Sequence, residues 1–279
     1  MKKIVINTVL ICICFLSIFF LIYRFGKVKQ MKKDYGVFIG ADNIDKIKGY
    51  NVVVVEPASI DVVDVEFLHK TNEKIYAYLN IGSLENYRPY FNEFKEKTLG
   101  LYENWEDEYW MDVSDVAWQK LIVDKLGRDI VDKGFDGFFL DNCDVYYYYP
   151  NEEIFNGLSS ILQGLRSLNM TKKYKIDIII NGGDTFVSRC IENKTATELF
   201  DGVNQECVFT DIDFENKTYK EKDESDREYF KEYLSNVKKY IPEVYLIEYG
   251  ADSDLIKEIE SYCNENGFHW YNARGLDLK

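Results

Sequence analysis

Gly134-Phe135-Asp136-Gly137-Phe138-Phe139-Leu140-Asp141-Asn142-Cys143-Asp144 reads as a glycine turn, a short strand and a cluster of polar groups where the strand stops. Phe138, Phe139 and Leu140 are apolar in succession, the pattern of a strand covered on both faces. A carboxylate at the carboxyl end of a buried parallel strand is where barrel enzymes carry their chemistry. The alternative at Asp141 is an aspartate that caps the next turn. Asp136, at the other end of the strand, reads as structural.

Outward from this stretch the pattern repeats. Apolar runs fall at Tyr35–Ile39, Val52–Val55, Ile75–Leu79, Trp110–Val113, Phe138–Leu140, Ile176–Ile180, Val203, Val244–Ile247 and Phe268–Tyr271. Amphipathic helices are expected between them over Ala117–Lys133, Glu153–Leu168, Glu224–Lys239 and Ser253–Asn266. Alternating strands and helices predict a parallel α/β fold, and eight repeats close a (β/α)8 barrel. Nine runs are one too many, so Trp110–Val113 is assigned to an ordered segment beside the site. Lys217–Arg227 reads as a solvated loop or helix start. One domain, 34–279, is expected after a segment 1–33.

The runs end in polar groups: Asp42, Glu56, Asn80, Asp141, Asn181, Gln205-Glu206, Glu248-Tyr249 and Asn272. In a barrel these converge on the carboxyl face. Each alone is a plausible turn-former, but carboxylates sharing a pocket raise one another's pKa and need a reason to be there. Two acids suit glycoside hydrolysis, one protonating the leaving oxygen and the other acting as nucleophile or as base for water. Aromatic rings suit sugars, and Tyr146 to Tyr149 follow the Asp141 cluster, with Trp105, Trp110 and Trp270 as further candidates. Only His69 and His269 are present, which disfavours a histidine metal site or a Ser–His–Asp triad. No phosphate-binding glycine loop occurs. No cofactor and no metal is expected.

Seven basic residues and no acid precede Asp34, which leaves 27 basic residues against 48 acids, a net charge of −21, on the remainder. Such a surface repels nucleic acid and attracts cationic polymers. Ile4–Tyr23 is apolar almost throughout and long enough to span a bilayer, with no small-residue cleavage site after it. A signal anchor is therefore expected, with secretion after cleavage as the alternative. Arg24, Lys27, Lys29, Lys32 and Lys33 follow the span, and the positive-inside rule alone would place the domain in the cytoplasm.

The central stretch resembles the hallmark of the glycoside hydrolase family 114 barrels, the endo-α-1,4-polygalactosaminidases and their bacterial relatives. Supporting segments are Tyr78-Leu79-Asn80-Ile81-Gly82-Ser83-Leu84-Glu85-Asn86-Tyr87-Arg88, Trp110-Met111-Asp112-Val113, Ile180-Asn181-Gly182, Asn204-Gln205-Glu206, Glu248-Tyr249 and Tyr271-Asn272-Ala273-Arg274-Gly275-Leu276-Asp277. The resemblance implies a (β/α)8 barrel, export, and cleavage of α-1,4-linked galactosamine-containing polysaccharide. Carried over by motif, Asp141 is the nucleophile and Glu206 the acid/base. Glu85, Tyr87 and Arg88 bind or orient substrate, and Asp42, Asn80, Trp110, Asn142, Asp144, Tyr146, Asn181, Glu248 and Tyr249 complete the substrate-binding set. The family often carries a glutamate after Gly82, where Ser83 stands here. The reading is a monomeric enzyme, membrane-anchored through its N-terminal helix with the barrel outside the cytoplasm. A non-catalytic polysaccharide-binding barrel and a hydrolase for another sugar polymer are the alternatives.

Overall fold

The computed structural model describes residues 33–103, 105–168 and 175–279. The expected span at Ile4–Tyr23 lies outside the described residues, and among the described residues no helix is long and apolar enough to cross a membrane. Asp34–Lys279 is one compact unit.

Eight strands form one sheet in the order β1 (Lys33–Phe38), β2 (Tyr50–Val55), β3 (Lys74–Asn80), β7 (Gly137–Asp141), β8 (Asp177–Asn181), β9 (Gly202–Glu206), β12 (Glu243–Tyr249) and β13 (His269–Ala273). The pairings from β2 onward are parallel. This is the expected α/β barrel, near-closed, with helices packed outside. The segment set aside from the barrel is β6 (Glu108–Met111), which pairs antiparallel with β4 (Ser83–Glu85) and β5 (Thr98–Leu101) in a separate small sheet after β3. The stretch Lys217–Arg227, expected as a solvated loop or helix start, holds the second strand of a further excursion and then a helix start. There β10 (Thr210–Asp213) pairs with β11 (Thr218–Glu221), and the following helix starts at Glu224. The polar face of so short a hairpin hides its alternation.

Side chains alternate across each strand. Val53, Val55, Phe138 and Leu140 pack outward against the helices, in one core cluster. Val52, Val54, Tyr76, Phe139, Ile179, Tyr245, Ile247 and Tyr249 fill the barrel interior. That parity governs the site: Asp141 is in phase with Phe139, Asn181 with Ile179, and Glu206 with Asn204, whereas Glu248 is out of phase with Ile247 and Tyr249.

At the amino-terminal end, side chains of the first and last strands meet. His269 Nδ1 lies 2.6 Å from Asp34 Oδ2, its Nε2 lies 3.4 Å from Glu243 Oε2, and its ring stacks on Tyr245 at 4.9 Å. Asp34 first, and then Glu243, raise the imidazole pKa from 6.5 to about 9, so the fold favours the charged ring. The stabilisation is therefore fully present below about 6.5 and is lost as pH rises through about 9. The partners are partly exposed, which holds the contribution to about 1 kcal/mol. His269→Ala should lower Tm by roughly 2–4 °C near neutrality. Melts at increasing pH should show that gap closing through the alkaline range, and a constant gap would disprove the charged clamp.

Candidate active site

At the carboxyl face, four successive strand ends share one backbone device. Asp141, Asn181, Glu206 and Tyr249 are each followed by a residue in the left-handed region: Asn142 (φ 66), Gly182 (φ 62), Cys207 (φ 54) and Gly250 (φ 61). The chain thus turns sharply straight after the functional side chain. For Cys207 this conformation is strained, whereas asparagine tolerates it at Asn142. Gly82 is fixed by approach to the same turn, since a Cβ there would lie 1.7 Å from the Asn142 carbonyl oxygen.

Asp141 and Glu206 face each other across one amide. Asn181 Nδ2 donates to Asp141 Oδ1 at 2.9 Å and to Glu206 Oε1 at 2.7 Å. These two oxygens are therefore no farther apart than the two bonds laid end to end. The remaining oxygens are held as well: Tyr78 Oη donates to Asp141 Oδ2 at 2.8 Å, and Tyr249 Oη donates to Glu206 Oε2 at 2.6 Å. Asn204 Nδ2 donates to Asn181 Oδ1 at 2.6 Å, and Tyr35 Oη donates to Asn204 Oδ1 at 3.2 Å. Burial raises the pKa of both carboxyls. For Glu206 the Asp141 charge adds to the rise, and for Asp141 the Glu85 charge does; bonds from Tyr249 and Asn181 draw Glu206 back, as bonds from Asn181, Tyr78 and the Asn142 backbone draw Asp141 back. Both carboxyls are thus held above the ordinary carboxylate range, where one of a pair can carry a proton while the other is charged.

These groups line a cleft of about 690 Å³. Glu85, Glu106, Asp107, Glu108 and Asp144 also border it, and no lysine, arginine or histidine does so among the described residues. Glu85 is neutralised by Arg88, whose Nε and Nη2 both donate to it at 2.9 Å. Glu108 has no such cation among the described residues. Its Oε1 accepts from Asn80 Nδ2 at 2.9 Å, from Asn142 Nδ2 at 3.0 Å and from the Ser83 hydroxyl. Burial, with repulsion from Asp141 and Glu85, pushes its carboxyl up to about 7. Asp144, bonded through Oδ1 to the Gly183 N–H at 3.1 Å, is pushed to about 7 by burial and then by Asp141 and Asp184.

A family model for glycoside-hydrolase family GH114 matches residues 27–275. The chain belongs to that family. It is a glycoside hydrolase. An uncharacterized protein of Thermotoga maritima is 30% identical over 89 residues, a match spanning 30% of this chain and 27% of that protein. One of Deinococcus radiodurans is 33% identical over 82 residues, spanning 28% of this chain and 26% of its own length. The glycoside hydrolase domain of PelA from Pseudomonas aeruginosa superposes with a TM-score of 0.70 at 16% identity, covering 88% of this chain and 95% of that one. Aspergillus fumigatus Ega3, solved in complex with galactosamine, gives a TM-score of 0.65 at 15% identity, covering 89% and 92%. At such identities the two structures speak for the fold.

In this GH114 barrel Asp141, Glu206, Glu85, Tyr87, Asn142, Asp144, Asn181 and Tyr249 border the cleft. Tyr249 does so through its hydroxyl on Glu206, not as a sugar platform; it is 2% exposed and its ring stacks on Tyr219. Arg88 stays behind Glu85, tying it to Glu56 at 3.2 Å. Five expected contacts fall elsewhere. Asp42 is exposed on the surface beside Lys279. Asn80 is buried beneath Glu108 and Ser83. Trp110 is buried between the rings of Tyr102, at 4.2 Å, and Tyr148, at 4.8 Å, and so supports the small sheet. Tyr146 turns its hydroxyl to Arg189, and none of Tyr146 to Tyr149 lines the cleft, because the first turn of helix at Val145–Tyr148 carries them outward. Glu248 is fully buried on the helix side, as its parity requires. There it accepts from the backbone of Val208, Phe209 and Thr210 and from the Thr210 hydroxyl.

Glu108, Tyr78, Asn204 and Tyr35 were not anticipated. The in-phase alternation of Asn204 with Glu206 and of Tyr78 with Tyr76 was the available signal. Nothing in the acidic stretch Glu103–Glu108 distinguishes Glu108, the carboxylate that bonds Asn80, Asn142 and Ser83.

Proposed function

We propose that the chain is an exported endo-glycosidase cleaving α-1,4-linked galactosamine-containing polysaccharide, with Asp141 as nucleophile and Glu206 as acid/base. The observation that supports it most is the single Asn181 amide shared by both carboxylates. Because Asp141 Oδ1 and Glu206 Oε1 can lie no farther apart than two hydrogen bonds, it supports the short spacing of retaining enzymes, roughly 5–5.5 Å between carboxyls, over the roughly 6.5–9.5 Å that seats a water in inverting ones. Glu206 gives its proton to the leaving oxygen while Asp141 attacks the anomeric carbon. Glu206 then takes a proton from the water that releases the glycosyl-enzyme ester, and the product keeps the α configuration. NMR of the first-formed reducing end tests this; a β product would rule out the ester.

The galactosamine in the Ega3 complex supports the choice of sugar. So does a cleft of carboxylates with no basic residue among its described lining, since an ammonium-bearing sugar supplies the missing charge. Partly deacetylated polymer should be hydrolysed faster than fully acetylated polymer, measured as reducing ends, with the gap shrinking as salt rises. Equal rates at every salt concentration would remove the charge argument.

In the same reading the N-terminal segment anchors the chain and the barrel lies outside the cytoplasm. A cysteine placed at Val63, which is 69% exposed, should react with an impermeant thiol label in intact cells. Protection until lysis would put the barrel inside.

A further inference from the structure

The two excursions from the barrel follow β3 and β9, and between those strands in the sheet lie β7 and β8, which carry Asp141 and Asn181. Each excursion is anchored on the floor of the site. The small sheet is held by Trp110 between Tyr102 and Tyr148, and by Glu108 on Asn80, Ser83 and Asn142. The β10–β11 hairpin is held by Tyr219, whose ring lies 6.1 Å from Tyr249 at 17° and whose hydroxyl accepts from the Leu276 N–H at 3.2 Å. Their tips meet. Trp105 and Phe214 make an edge-to-face contact at 6.3 Å, and both rings border the same cleft as Asp141 and Glu206 while remaining 45% and 38% exposed.

A contact between an arm rooted after β3 and one rooted after β9 crosses the sector of the rim that contains the carboxylate pair. The same cleft is also lined by Asp144 and Gly182, which follow β7 and β8, and by Ile39, Leu276 and Leu278, which follow β1 and β13. We propose that Trp105 and Phe214 form an aromatic bridge under which the polysaccharide is threaded, so that a cut chain stays on the enzyme and is cut again. The inference rests on the polysaccharide hydrolase reading above. Sugar rings offer C–H faces to such aromatics, and two rings meeting over the chain oppose its sideways escape from the cleft.

The experiment compares wild type, Trp105→Ala, Phe214→Ala and the conservative Trp105→Phe on soluble galactosamine polymer, following viscosity and reducing ends together, with a trisaccharide as short substrate. Both rings are partly exposed, and a thermal melt for each variant establishes that it folds. The expected result is a steeper viscosity loss per bond cut in both alanine variants, with longer first products and KM for polymer raised roughly tenfold. The loss in kcat/KM should be smaller on the trisaccharide than on polymer, and Trp105→Phe should retain the wild-type pattern. Viscosity loss per cut identical to wild type in both alanine variants overturns the bridge, even if their rates fall. Wild type that releases no ends from polymer would instead remove the hydrolase reading on which the inference rests.

Discussion

Asp141→Asn and Glu206→Gln should each lower kcat/KM on galactosamine polymer by roughly a thousandfold or more, and the double variant should be little worse than either, because the pair acts as a unit. The two roles separate on an aryl glycoside, whose leaving group needs no proton. There Glu206→Gln should recover much of the first step and Asp141→Asn none of it. Asn181→Ala should also fall steeply, since one amide nitrogen holds both carboxylates. The melting temperature is the control. The pair is buried and mutually repulsive, so removing one charge should leave stability unchanged or raised. Undiminished turnover in either single variant would refute the assignment.

The second large effect is on folding. Glu248 is fully buried and accepts from three consecutive backbone N–H groups, Val208, Phe209 and Thr210, at 2.8 to 3.2 Å, and from the Thr210 hydroxyl at 2.6 Å. Glu248→Ala strands those donors away from water, at a cost of about 3–5 kcal/mol. Urea unfolding should report a loss of that size. Val208–Thr210 connect Glu206 to the β10–β11 arm, so activity below the transition should fall too. A substrate-binding glutamate would instead give a raised KM at full stability.

The contrast between Glu206 and Glu248 shows where the sequence is legible. Each is a carboxylate ending an apolar run, and composition cannot part them. Parity can: Glu206 lies in phase with Asn204 inside the barrel, while Glu248 lies between the inward residues Ile247 and Tyr249. Most strands were legible because their apolar runs are long enough to bury both faces; β9, with Val203 as its one aliphatic residue, is the exception. The arms were not, because Thr210–Asp213 and Thr218–Glu221 are short and largely polar, and their order comes from docking on Tyr249 and the chain end. Trp110, for which a buried core role was an equal alternative, and Tyr146 pack into the scaffold for a related reason. An aromatic beside a sugar site is as well suited to support the scaffold as to touch the ligand, and only packing decides. Glu108 belongs to the same class of long-range outcome, joined to Ser83 across the small sheet, at the position where the family often has a glutamate.

The hydrogen bonds beneath the pair have a direction. Tyr35 gives to Asn204, Asn204 to Asn181, and Asn181 spends both hydrogens of its amide on the two carboxylates. With its carbonyl already engaged by Asn204, Asn181 has no reason to flip and always presents a donor to Glu206 Oε1. That donor disfavours a proton on Oε1 relative to Oε2. The hydroxyl of Tyr249 there is free to exchange giving for receiving as the acid charges and discharges. The barrel floor thus makes a symmetric carboxyl group one-sided, and in the proposed mechanism this marks Oε2 as the oxygen that would address the glycosidic bond before any sugar arrives.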